Sequence, residues 1–190
     1  DENQNALVVD LYLQQDETQI IKRFTFTRDS YLIDIAYIVT NQSSDPWSAN
    51  LYGQIKRDSR EPRTESGFGM APFLGAATTT SETNYKKFSF DDLADESFET
   101  TEKGGWVAMV QHYFVSAWIP DENLNNHYYM RKTRGQDIFL LGFTSEPISV
   151  TPGSSETISS KFYAGPKNLE ALTDISEHLA LTLDFGWLWF

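Results

Sequence analysis

The sequence predicts an all-β fold, an antiparallel β-sandwich with a short C-terminal amphipathic helix, and three observations predict it. Apolar and polar residues alternate at period two in segment after segment. Turn residues separate these segments at even spacing, about four strands in the first fifty residues. The period changes to three and four only once, after Gly165-Pro166. Aromatic residues at 14% and hydrophobic residues at 40% give a chain able to pack a core and inclined to strands.

Over 7–13, Leu7, Val9, Leu11 and Leu13 share one face, with Val8, Asp10 and Tyr12 on the other. Polar residues 14–18 make a turn, and 19–27 return as a strand with Phe24 and Phe26 inward opposite Arg23 and Thr25, completing a hairpin. Arg28, Asp29 and Ser30 turn the chain into a third strand, 31–40, where Ile33, Ile35, Tyr37 and Val39 form one face. A turn at 41–46 ends in Asp45-Pro46, and a fourth strand spans 49–56.

Residues 57–80 are charged at first, contain Pro62, Gly67, Gly69, Pro72 and Gly75, and show no period. They predict a long surface loop, which makes them the first candidate for a partner-binding surface. A strand follows at 86–90, then a turn or single helical turn at 91–96. The apolar stretch 106–119, bounded by Lys103-Gly104-Gly105 and Pro120, is the core. Its aromatic and β-branched content argues for strand, while Val107, Val110, Phe114 and Ala117 also fit one helical face, so periodicity leaves both open.

Further strands are expected at 127–132, 138–145 and 157–164, with Phe24, Phe26, Ile33, Ile35, Val39, Trp106 and Trp118 buried. Pro166 suits a first helical position, and Leu169, Leu172, Ile175 and Leu179 recur at helical spacing, so this helix should dock those four side chains on the sandwich. The chain thus divides into a β-sandwich domain, 1–165, a helix, 166–180, and a terminal segment, 181–190. In the last of these Phe185, Trp187, Leu188, Trp189 and Phe190 concentrate aromatic surface, suited either to a membrane interface or to a final strand in the core.

Fifteen Lys and Arg against twenty-seven Asp and Glu leave a formal charge of -12, which argues against a nucleic-acid partner. The absence of cysteine removes disulfides, thiolate nucleophiles and sulfur-rich zinc sites. No apolar run reaches the roughly 20 residues of a transmembrane helix, and the N-terminus lacks a signal-peptide core. His112, His127 and His178 share no metal-ligand spacing, and no zinc-protease helix, phosphate loop or nucleophile elbow occurs. The acidic cluster Asp91, Asp92, Asp95 and Glu96 lacks the alternation of a calcium loop and reads as a solvated turn. Carboxylates that could pair for glycoside hydrolysis meet only in space, so the sequence does not pair them. No catalytic residue, metal or cofactor is expected, and the chain is read as a non-enzyme.

Several separated anchors carry a resemblance: Lys103-Gly104-Gly105-Trp106-Val107-Ala108-Met109, Tyr113-Phe114, Ala117-Trp118-Ile119-Pro120, His178-Leu179 and the terminal run Phe185-Gly186-Trp187-Leu188-Trp189-Phe190. With Tyr85-Lys86-Lys87-Phe88 and Gly165-Pro166, these resemble the periplasmic domain of the YidC-type bacterial membrane-protein insertases. The resemblance implies a super-sandwich fold inserted between two transmembrane helices, at the periplasmic face of the inner membrane. It implies a non-catalytic role in membrane-protein insertion, with Sec translocon components and nascent membrane proteins as partners of the full-length protein. Phe190 would stand at the membrane surface. The family's insertion groove lies in transmembrane helices, so no groove residue carries over, and the family domain extends further ahead of the point where Asp1 begins. The alternative is a carbohydrate-binding or mutarotase-like protein, because super-sandwich folds are similar to sugar-acting proteins; a cleft floored by aromatics with a convergent His and carboxylate would favour it.

Overall fold

A computed structural model describes residues 5–60 and 73–183. The first three strands, β1 (Ala6–Gln15), β2 (Thr18–Thr27) and β3 (Leu32–Asn41), form the antiparallel meander that their alternation predicts. The left-handed Asp16 and Asp29 lie in the two turns that join them. The expected fourth strand is two: β4 (Trp47–Ala49) and β5 (Tyr52–Arg57), each in a different sheet.

The chain continues through β6 (Gly75–Thr78), β7 (Lys86–Ser89), helix α1 (Phe90–Asp95), β8 (Phe98–Lys103), β9 (Val107–Val110), β10 (Phe114–Pro120), β11 (Asn125–Lys132) and β12 (Phe139–Ser145). It ends with β13 (Ile148–Val150), β14 (Ser155–Pro166), helix α2 (Leu169–Ile175) and a 3-10 turn, Leu179–Thr182. Eight strands form one sheet in the order β1-β2-β3-β14-β10-β9-β6-β7, four form a second in the order β5-β12-β11-β8, and β13 pairs with β4.

Two apolar clusters hold the layers together, one on each face of the central strands of the large sheet. Because side chains alternate along a strand, β9 gives Val107 and Met109 to the first and Ala108 and Val110 to the second. In the first cluster they meet Tyr128, Met130, Leu141 and Phe143 of the four-stranded sheet, with Phe90 and Leu93 of α1 at its side. Trp118 joins this layer half-buried, its ring against Phe162 at 4.7 Å and Phe143 at 6.0 Å. A side chain at Gly53 would stand 2.5 Å from that indole, so only glycine lets the two sheets approach there.

In the second cluster the register aligns Ala77, Ala108 and Ala117 across β6, β9 and β10. These small residues leave the sheet face low, and Trp106, Leu172 and Leu179 fill the space above it.

Several expectations are corrected. Residues 75–78, expected within a surface loop, are the fully buried strand β6 hydrogen-bonded to β7 and β9; small side chains hid its period while both neighbours cover it. The rest of that loop candidate, 61–72, lies outside the described residues. The stretch 106–119, whose composition argues for strand while its period leaves helix open, is a strand pair, turning at 111–113 without glycine or proline. Of the expected core, Ile35, Val39 and Trp106 are buried, Phe24, Ile33 and Trp118 are half-buried, and Phe26 is exposed near the end of its strand.

Candidate functional site

The residues that set the C-terminal segment against the sandwich begin in the turn between β8 and β9. Gly104 and Gly105 both adopt positive φ, at 65° and 85°, which a side chain would strain. The Tyr128 hydroxyl donates to the Gly104 carbonyl, and burial pushes that phenol's pKa up, so it stays protonated and able to donate. The turn drives Trp106 into the second apolar cluster, fully buried, where its indole N–H donates to the Glu177 carbonyl at 3.0 Å. One side chain thereby fixes the link between α2 and the 3-10 turn.

Pro166 does not open the helix. It ends β14 opposite Phe114, and its carbonyl accepts from the Tyr163 hydroxyl at 2.6 Å. The N-cap is Asn168, whose side-chain oxygen accepts from the Ala171 N–H at 3.0 Å, a strong capping choice that outcompetes a proline start. Helix α2 stops at Ile175; Ser176 is extended and His178 left-handed, so Leu179 lies in the separate 3-10 turn.

Among the expected docking residues, Leu172 and Leu179 are fully buried and Ile175 packs half-buried beside them. Leu169 is a correction: it is 55% exposed. Side chains tilt toward a helix N-terminus, so one in the first helical position leans past the end of the helix rather than over the sheet. Phe185, Trp187, Leu188, Trp189 and Phe190 lie outside the described residues.

Beside this seat opens a cavity of about 850 Å³, bordered by β3, β14, the turns before and after the glycine pair, and the link at 175–178. Its lining includes Asp34, Glu102, Asp121, Glu122, Lys161 and His178, and among the described residues no Trp, Tyr or Phe. Asp34 and Lys161 are register partners on β3 and β14. Glu102 accepts from the Ser81 N–H at 3.0 Å, and Asp121 accepts from the Asn123 N–H at 2.8 Å, so both carboxylates brace turns. His178 Nε2 lies 3.7 Å from Glu177 Oε1. The sequence reading missed this cavity; its available signal was Asp34 set within the largely apolar strand β3.

The other histidines stand apart. His127 faces Glu99 at 3.7 Å across β11 and β8, and His112 stacks on Tyr113. In the acidic cluster, Asp92 completes the capping box of α1, whose N-cap is Ser89. Among the described residues no three His, Asp or Glu side chains gather as metal ligands, and no helix is long and apolar enough to cross a membrane.

The family model described as YidC periplasmic domain matches residues 1–190. The membrane protein insertase YidC of Cellvibrio japonicus is 56% identical over 189 residues, covering 100% of this chain and 34% of that protein. The insertase YidC of Saccharophagus degradans is 52% identical, covering 98% of this chain and 33% of that protein. The chain therefore spans about a third of the length of the curated relatives it matches. Among solved structures, a galactose mutarotase-like protein from Lactobacillus casei has a TM-score of 0.57 at 9% identity, covering 85% of this chain and 70% of the other, a likeness of fold alone.

Proposed function

Because this chain belongs to the YidC periplasmic-domain family, we propose that it serves a membrane-protein insertase as a non-catalytic scaffold at the periplasmic face of the inner membrane. The observation that carries this reading is the seat of the C-terminal segment. Trp106 and the buried Leu172 and Leu179 bind that segment rigidly to the sandwich, so the orientation of the domain is transmitted to whatever follows residue 183. In this reading the run Phe185, Trp187, Leu188, Trp189 and Phe190 enters the membrane interface. The sandwich contacts Sec translocon components and steadies the insertase while nascent membrane proteins enter its membrane-embedded part.

The sugar-binding alternative has less support, because among the described residues the cavity lining offers no Trp, Tyr or Phe ring on which a pyranose could stack. The test uses full-length insertase carrying Trp106→Phe with Leu172→Ala, expressed in cells depleted of their own. Loss of complementation and of Sec translocon co-purification, with the sandwich still folded by circular dichroism, is the expected result. Full complementation with the seat loosened would overturn the scaffold reading.

A further inference from the structure

We propose that the tip of the β9–β10 hairpin, His112-Tyr113-Phe114, together with Lys167 and Leu169 beside it, is a bilayer-contact site that rests among lipid headgroups. The inference builds on the reading that this domain stands on a membrane, and it assigns a second point of contact distant in sequence from the terminal run.

The tip inverts the burial of the strand that leads to it. Every residue of β9 is buried, yet Tyr113 and Phe114 are 65% and 55% exposed. The tip is also held in place. Gln111 N–H donates to the Phe114 carbonyl and Lys167 N–H to the Tyr113 carbonyl, both at 2.9 Å, while Phe114 pairs with Pro166. His112 and Tyr113 stack with ring centres 3.9 Å apart and planes within 12°. Rings fixed this way keep their apolar area outward without the freedom to fold back on the protein.

The chemistry of the patch suits a membrane interface rather than a protein core. Tyrosine and histidine each join an apolar ring to a polar edge, phenylalanine and Leu169 supply hydrocarbon, and Lys167 supplies a cation whose stem can lie along them. This combination of aromatic girdle and basic anchor is what the headgroup region selects. Charge agrees in part: 111–114 and 165–169 contain one Lys and no Asp or Glu, with Glu170 next in sequence, so these two short stretches carry none of the acidic excess behind the formal charge of -12 that would repel anionic lipid.

The experiment uses full-length insertase in vesicles of phosphatidylethanolamine and phosphatidylglycerol, with cysteines outside this chain replaced, since the chain itself has none. An environment-sensitive fluorophore is placed singly at Tyr113→Cys, at Phe114→Cys as a second tip position, at Arg134→Cys on the exposed β11–β12 turn, and at Trp189→Cys in the terminal run. Quenching by nitroxide lipids severalfold stronger at 113 and 114 than at 134, with protection there from aqueous iodide, is the expected result. Lipid quenching at 189 but not at the tip would overturn this inference and leave the terminal-run reading standing. Absence of lipid quenching at the tip and at 189 alike would overturn both. Protection of the tip from iodide without lipid quenching would mean that a protein covers it, which also overturns the proposal.

Discussion

Asp92 accepts from both the backbone N–H and the hydroxyl of Ser89, at 2.8 and 2.7 Å, while its own N–H donates back to that hydroxyl. These bonds favour the carboxylate, so its pKa lies below the ordinary aspartate value, the Ser89 hydroxyl contributing most. Asp10 is lowered in the same direction by the paired hydrogen bonds of Arg23, at 2.8 Å each. A depressed carboxyl stabilises the fold fully above its unfolded pKa of about 3.9 and loses that contribution as pH falls through the lower folded value. Asp92→Asn should therefore be less stable than the parent near neutrality, and the gap should close in acid. Urea midpoints at about pH 6 and about pH 2.5 measure this; a gap that stays constant would mean that the carboxylate charge is irrelevant to the cap.

Helix α2 is too short to be stable alone, so its position depends on which side chains it buries. Leu172→Ala should cost about 2–5 kcal/mol, as expected for a fully buried leucine. Leu169→Ala, at an exposed position, should stay within about 0.5 kcal/mol. Thermal melts of both variants decide the matter, and equal losses would remove the asymmetry of docking. The same helix shows what could be read from sequence. The apolar repeat after Pro166 identified a docked segment, because burial imposes a period, but the repeat could not show that Asn168 caps it or that Leu179 belongs to another turn. Strands β1 to β3 were legible because polar turns bound them and their alternation is clean. Strand β8, Phe-Glu-Thr-Thr-Glu-Lys, was not, since an edge strand of mostly polar residues looks like a loop; β6 was hidden by small residues. The cavity escaped notice because Asp34 and Lys161 meet only through the pairing of β3 with β14.

At the scale of the described residues as a whole, the large sheet outruns its partner: the four-stranded layer covers the central strands, and β1 is the outermost described strand, on which Leu7, Val9, Leu11 and Leu13 are exposed. Such an edge invites pairing with another chain. Leu11→Glu would place a carboxylate opposite Lys22 in the ladder, adding a favourable cross-strand pair while interrupting the apolar row. It should lower self-association of the chain in sedimentation velocity at an unchanged melting temperature; undiminished association would show that the edge is not the contact. The position of β14 governs something else. It lies between β3 and β10, and the hydroxyls of Thr40 and Ser155 that meet at its start are 115 residues apart in sequence. A chain delivered N-terminus first completes the β1–β3 meander early, but β3 must wait for a segment 115 residues further on before its second neighbour exists. Closure of a loop that long is slow and comes late. The sheet therefore stays largely unfinished until β14 is added, and the segment that supplies β14 leads directly into α2 and its seat.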